Sequence, residues 1–407
     1  MTMAALTTAW CRTFQAVLGV VSPVLDWHRP ETITGTGCSS QIPELIKKHD
    51  KKKVMIVTGK HVGKSLAPAI KDNLAAGGVE FFHYDQVEAN PSTTTVFAIR
   101  DAYIENGCDC FLAIGGGSPM DAAKGAAALI ARPGKKPGDF AGLLKVGKNV
   151  PLFIAIPTTA GTGSETTIAA VITDAETHHK YAIMDTHLIP DYAVLDPELT
   201  RELPQKTTST TGMDALTHAV EAYLCWTNTT EESNRFAEEA TVTIFKYLER
   251  AYKDGNDMEA RQEMLMASFK AGFAFSRAGV GNVHAIAHTL GGLYGTPHGL
   301  ANAVILPIVL EDYGEKAYAK LARLAELTGI KVNGTTEEKA KAFIAEVYAM
   351  NERMSIPKGI DVIKDEDIPQ MVKWALAEAN PMYPVPVVYD AAHCEKVIRK
   401  IREMAQK

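Results

Sequence analysis

A chain of 407 residues, 46% hydrophobic and 22% charged with 31 glycines, has enough apolar content to bury two cores and too mixed a composition for a fibrous or disordered protein. Its formal net charge of −6 gives no electrostatic reason to expect nucleic acid or an anionic membrane as a partner. The six cysteines (Cys11, Cys38, Cys108, Cys110, Cys225, Cys394) contain no C-x-x-C pair, which argues against a disulfide framework or a thiolate zinc cluster and for a reducing, cytoplasmic setting.

Residues 1–25 carry Arg12 and no acidic side chain, a composition loosely like a transit peptide. The apolar run "AVLGVVSPVL" is too short and too interrupted by proline to span a membrane. We read residues 1–30 as a folded lead-in that packs on the first domain or on a subunit partner. From there short apolar runs alternate with helical patterns, the signature of β-α-β units around a parallel sheet. "KVMIVTG" (53–59) predicts a buried strand, "KSLAPAIKDNLAAGG" a helix ending on glycines, "VEFFHYD" a strand and "STTTVFAIRDAYIENG" a helix. "CDCFLAIGGG" is a strand entering a glycine turn, and "SPMDAAKGAAALIA" opens the next helix with Ser118 as N-cap and Pro119 in the first turn. "VPLFIAIPTTAGTGSE" and "DYAVLDPEL" supply further strands. Beyond residue 203 long amphipathic stretches dominate, such as "ESNRFAEEATVTIFKYLERAY", and no convincing β run returns.

The glycine turn in "LAIGGGSPMDAAKG" joins a strand to a helix start, a geometry that offers backbone N–H groups and a helix dipole to phosphate. It is not the G-x-G-x-x-G fingerprint, because Met120 stands where the third glycine would be. A second small-residue loop, "PTTAGTGSET" (157–166), sets the hydroxyls of Thr158, Thr159, Thr162 and Ser164 beside Gly161 and Gly163. Two such loops at neighbouring strand ends favour a dinucleotide site.

In the helical half, "GMDALTHAVEAY" places Asp214 and His218 four residues apart on one helix face. "NVHAIAHTLGGLYGTPH" does the same for His284 and His288, and His298 follows in a Gly/Pro-broken loop that can fold back to the same place. Two helices that each aim two ligand-type side chains at one point make a metal site. Spacing alone does not choose between His284 and His288. His28, His49, His83, His178, His179 and His187 have no such partners in sequence and read as structural, capping or solvated residues.

These segments, with the late "NPMYPVP", resemble the iron-containing (group III) alcohol dehydrogenases in order and spacing across roughly residues 30–400. The resemblance implies an α/β Rossmann-like dinucleotide-binding domain (1–203, with the lead-in) and an all-α catalytic domain (204–407), the two-domain plan also seen in dehydroquinate synthase-like proteins, with the metal in the cleft between them. It implies Asp214, His218, His284 and His298 as metal ligands and His288 as a proton-transfer residue. The implied cofactor contacts are Asn90, Gly116, Gly117, Ser118, Thr158, Thr159, Thr167 and Lys180. One departure concerns the strand end "IVTGK", where NAD-preferring members often carry an aspartate and this chain has Gly59 with Lys60, His61 and Lys64 nearby. That predicts NADP(H) in preference to NAD(H).

One carboxylate and three imidazoles suit Fe²⁺, with Zn²⁺ as the alternative. The expected activity is reversible hydride transfer between nicotinamide and a small primary alcohol or aldehyde, in a homodimer or higher homo-oligomer. The competing readings are a polyol dehydrogenase of the glycerol or propanediol type and a hydroxyacid–oxoacid transhydrogenase. Phe269, Phe273, Phe275 and Tyr294 are candidates to line the substrate site.

Overall fold

Strand β2 (Lys53–Gly59) explains how the first half folds, because both its faces are buried. The computed structural model describes residues 3–177 and 180–406, so His178 and His179 lie outside the described residues. Before β2 come helix α1 (Met3–Val21), strand β1 (Glu31–Thr34) and helix α2 (Ile42–Lys48). Strand β2 (Lys53–Gly59) alternates Met55 and Val57 toward one hydrophobic core with Val54 and Ile56 toward another. The helix expected after it is broken into α3 (Lys60–Ser65) and α4 (Ala67–Ala76), the latter restarting with Pro68 in its first turn. There follow β3 (Glu80–Val87), α5 (Thr93–Glu105), β4 (Cys110–Gly115), α6 (Gly117–Ala131), β5 (Gly142–Leu143) and β6 (Phe153–Pro157). Strands β7 (Ala169–Thr173), β8 (Lys180–Met184) and β9 (Tyr192–Leu195) complete the α/β unit.

The main sheet has the order β1-β9-β6-β4-β2-β3 and is parallel throughout. Parallel strands must share one direction, so the carboxyl ends of β2, β4 and β6 stand side by side and carry Gly59, the glycine turn and the second small-residue loop. In open α/β sheets ligands bind outside that edge. The sequence reading missed β1 and the small second sheet, β5-β8-β7, whose strands are two to five residues long.

The helical half consists of α7 (Gln205–Leu224), α8 (Glu231–Lys253), α9 (Met258–Ala278), α10 (Asn282–Tyr294), α11 (His298–Tyr313), α12 (Glu315–Leu327), α13 (Thr336–Arg353), α14 (Ile368–Ala379) and α15 (Ala391–Met404). Small residues permit close crossings: a Cβ on Gly212 of α7 would meet a Leu248 methyl of α8 at 2.2 Å. Two compact units result, one being Asp26–Leu203 and the other Pro204–Lys407 together with the N-terminal segment through Leu25. This corrects the expectation that the lead-in belongs with the first domain. Helix α1 packs with the helical unit because Arg12 and Gln15 donate to backbone carbonyls of residues 381–386. Among the described residues, no helix is long and apolar enough to cross a membrane.

Candidate metal centre

Asp214 and His218 project from consecutive turns of α7, His284 from α10, and His298 is the first residue of α11. One ligand-type atom from each lies within 4.8 Å of the other three. Asp214, His218 and His284 are 1%, 4% and 2% exposed, so the centre is closed on that side, whereas His298 is only half-buried and leaves an approach. The close packing has a sequence cause at Gly299, where a Cβ would sit 2.5 Å from the Thr210 carbonyl oxygen and 3.4 Å from Asp214 Cβ. Only glycine lets the start of α11 lie against α7 and bring His298 to Asp214.

The imidazoles are held from behind. Phe275 stacks on His218 with ring centroids 4.2 Å apart. His284 Nδ1 is 2.5 Å from Glu221 Oε2, and the other carboxylate oxygen of Glu221 accepts from the Val283 N–H at 2.8 Å. That contact leaves His284 Nε2 as the atom facing the cluster, the usual carboxylate–histidine arrangement behind a metal. Burial pushes the Glu221 carboxyl up to about 8, against backbone N–H groups of 281, 283 and 284 that lower it. Burial, then the neighbouring imidazoles, holds His284 well below the ordinary histidine value, so it presents a neutral ligand. Gly281 leaves room for this carboxylate, since a Cβ there would be 2.6 Å from Glu221 Oε1.

Asn302, one turn after His298, donates to Asp214 Oδ1 at 2.6 Å and has the same Nδ2 3.1 Å from both His284 Nε2 and His298 Nε2. Its Oδ1 is buried with no hydrogen-bond partner. One carboxylate and three imidazoles converging within 4.8 Å, three of the four buried, fit a divalent transition metal.

The structure separates the two histidines that spacing left equivalent. His284 joins the cluster, and His288 stands beside it, stacked on His298 at 5.2 Å between centroids. His288 Nδ1 is 2.6 Å from Glu378 Oε1 of α14, and the Tyr383 hydroxyl donates to the same oxygen at 2.6 Å. Burial alone would raise the Glu378 carboxyl, but the charge and hydrogen bond of His288, with the Tyr383 hydroxyl, hold it below the usual carboxylate range.

In the α/β unit the two loops interlock. The Thr158 N–H donates to the Gly115 carbonyl at 2.9 Å, and Cβ atoms on Gly116 and Gly117 would lie 3.3 Å from Thr159 Oγ1 and Thr162 Cγ2. Asn90 has φ +58°, receives Lys180 Nζ on its Oδ1 at 2.7 Å, and donates its N–H to Ser118 Oγ at 3.3 Å. Thr167 is buried and tied to Lys124, whose Nζ reaches Thr167 Oγ1 at 3.1 Å and the carbonyls of Ser164, Thr167 and Ala169 at 2.7, 2.8 and 3.1 Å. Burial brings the Lys124 ammonium down to about 8 and pushes the neighbouring Asp121 up to about 6. Gly59 ends β2, and Lys60, His61 and Lys64 are exposed on α3.

Residues 30–197 match the iron-containing alcohol dehydrogenase family, and residues 208–401 match the C-terminal domain of the Fe-containing alcohol dehydrogenases. The chain belongs to this family. It is 36% identical over 375 residues to an NAD-dependent methanol dehydrogenase of Bacillus methanolicus, covering 90% of this chain and 97% of that protein. It is 34% identical over 354 residues to a lactaldehyde reductase of Escherichia coli K12, covering 84% and 90%. The solved structure of a 1,3-propanediol oxidoreductase superposes with a TM-score of 0.89 at 34% identity, covering 93% of this chain and all of that one.

As an iron-type alcohol dehydrogenase the chain carries three supporting residues that the sequence reading passed over. Glu221 lies seven residues after Asp214 on the same helix face, Asn302 four after His298, and Lys124 is a charge inside the small-residue run "DAAKGAAA". Two expectations about the substrate site are corrected. Phe269 and Phe273 are 2% and 8% exposed, with Phe273 edge-on to Phe236, so both belong to the helical core. Phe275 serves His218, and the Tyr294 hydroxyl donates to Asp367. The histidines read as bland have ordinary partners: His83 meets Thr58, His49 meets Tyr192, His187 meets Asp185 and His28 meets the Ile189 carbonyl.

Proposed function

We propose that Asp214, His218, His284 and His298 hold one divalent metal, Fe²⁺ or Zn²⁺, and that the chain interconverts a small primary alcohol and its aldehyde with a nicotinamide cofactor. The observation that carries this reading is the convergence of four ligand atoms within 4.8 Å, with the Nδ1 of His284 already committed to Glu221. A metal so held supplies Lewis acidity toward the substrate oxygen, and the cofactor supplies or takes the hydride. The protein's own part is to keep His284 neutral, to hold His218 and His284 aimed, to exclude water on the α7 side, and to move a proton through His288.

The cofactor reading assigns the edge formed by Gly59, Asn90, Gly116, Gly117, Ser118, Thr158, Thr159 and Lys180 to the dinucleotide, with Thr167 acting through Lys124. NADP(H) is the preferred form in this proposal, although a relative is named NAD-dependent. Gly59 brings no carboxylate to repel a 2′-phosphate, and Lys60 and Lys64 are exposed at the same strand end. A surface lysine–phosphate contact contributes ~1 kcal/mol, about fivefold in affinity. Lys64→Glu should therefore raise KM for NADPH by roughly that factor or more and leave NADH unaffected. Equal or better kcat/KM with NADH in the unaltered enzyme would refute the preference.

The primary test is NADPH consumption with butanal, using metal-stripped protein before and after anaerobic return of Fe²⁺ or Zn²⁺. Recovery with one ion identifies the working metal, whereas indifference to both sinks the metal assignment. The proposed setting is the cytoplasm and the proposed assembly a homodimer or larger homo-oligomer, which sedimentation would check.

A further inference from the structure

We infer that helix α1 is a brace for the proton-transfer side of the site, with Arg12 and Gln15 as positioning residues; the inference rests on the proposed role of His288. The family match begins at residue 30, so α1 lies outside the matched segments. Its partner is the segment 380–389, which has no regular secondary structure and includes the motif "NPMYPVP". Pro381, Pro384 and Pro386 have no N–H, and this stretch cannot close its own hydrogen bonds in a helix or sheet. Its carbonyls need donors from elsewhere.

Helix α1 provides them. Arg12 donates from Nη1 to the Val385 carbonyl at 2.8 Å and from Nη2 to the Pro386 carbonyl at 2.9 Å. Gln15, 0% exposed, donates from Nε2 to the Pro381 carbonyl at 3.0 Å and the Tyr383 carbonyl at 2.7 Å. Its Oε1 accepts from Trp226 Nε1 at 2.7 Å and from Arg12 at 3.1 Å, so the amide is fixed in that orientation. Trp226 itself donates its backbone N–H to the Pro384 carbonyl at 3.1 Å. Five anchored carbonyls, those of Pro381, Tyr383, Pro384, Val385 and Pro386, thus hold the chain at and around Tyr383.

The other end of the same segment touches the site. Tyr383 is gripped at its carbonyl by Gln15 and gives its hydroxyl to Glu378 Oε1, the atom that also holds His288 Nδ1. Gly279, with φ +102°, lets Pro384 approach just before α10, where a Cβ would be 3.2 Å from its Cδ. Asn282, at the start of α10, donates to the Val387 carbonyl at 3.0 Å. One route from the braced segment to His288 therefore runs through Tyr383 and Glu378 and includes none of the four metal donors.

The test compares the unaltered holoenzyme with Arg12→Ala/Gln15→Ala, Tyr383→Phe, their combination, and His288→Ala. Each is measured for metal content, KM, kcat and the solvent deuterium isotope effect on kcat. Expected for the brace variant are full metal content, KM within about twofold, kcat lower by roughly tenfold and a larger isotope effect, as a misplaced proton-transfer group requires. Tyr383→Phe should shift the same quantities, and the combination should be no worse than the more damaging of its parts. Wild-type kcat and isotope effect in the brace variant, with His288→Ala slow, overturn the brace alone. An unimpaired His288→Ala overturns the proton-transfer reading and the brace with it. Should the double variant fail to fold, Gln15→Met removes two donors at similar volume and decides by the same readouts.

Discussion

Glu221 and Asn302 show what individual side chains contribute without being ligands. A carboxylate behind a ligating imidazole sets its tautomer and ring orientation, and losing it typically costs 10–100-fold in metal affinity. Glu221→Gln should therefore weaken metal binding by about that factor in a competitive chelator titration, with the fold intact by circular dichroism. Retained affinity would mean that α10 alone orients His284. The two histidines of α10 separate by a different pair of measurements. His284→Ala should lose metal and rate together, whereas His288→Ala should keep its metal and lose rate by roughly 10²-fold or more, the range of a general acid–base group. If His288→Ala emptied the centre, ligand and relay would have been exchanged.

Helices place these residues, and much of that placement was legible in the sequence. The i,i+4 pairs in "DALTH" and "VHAIAH" required only helical periodicity, and the β-α-β alternation followed from buried runs punctuated by glycine. Periodicity left His284 and His288 equivalent and only the family resemblance distinguished them; the physical reason lies in three dimensions, in which side of α10 meets α7 and which meets α14. Short strands escaped notice for a related reason: β5 has two residues, and its pairing with β8 is decided by tertiary context rather than by any local pattern. Glu221 was visible as a seven-residue repeat from Asp214, but a glutamate on a helix is usually solvated, and nothing local announces that this one is buried. The crossing of α7 and α11 gives a prediction at this scale. Gly299→Ala puts a methyl within 2.5 Å of the Thr210 carbonyl, so α11 must shift. Overpacking of this kind costs about 1–3 kcal/mol, and here the displaced element carries His298. The variant should lose metal affinity more than it loses helical signal, and equal affinity would show that the helices have slack.

All six cysteines are buried, one of them on α1 and one capping the C-terminus of α7, which makes thiol chemistry a report on the whole molecule. Burial pushes the Cys38 and Cys394 thiols up to about 12 and the Cys108 thiol up to about 11. Folded protein at pH 8 should accordingly resist a thiol-selective reagent and react at six equivalents only after denaturation. Fast labelling of Cys11 alone would mean that α1 leaves its seat. The distribution of ligands has a thermal consequence as well. Every donor of the proposed metal centre belongs to the compact unit of Pro204–Lys407, on three helices, the first and last in sequence being Asp214 and His298. An ion that binds only the folded form works as a cross-link over that span, and at a hundredfold excess over Kd adds about 2.7 kcal/mol. For a unit of this size that corresponds to a rise of roughly 5–10 °C in its melting temperature. The heat of that gain should fall on the helical unit, while a dinucleotide bound at the sheet edge of Asp26–Leu203 should raise the melting of the other, so that one chain carries two thermometers, each set by a different ligand.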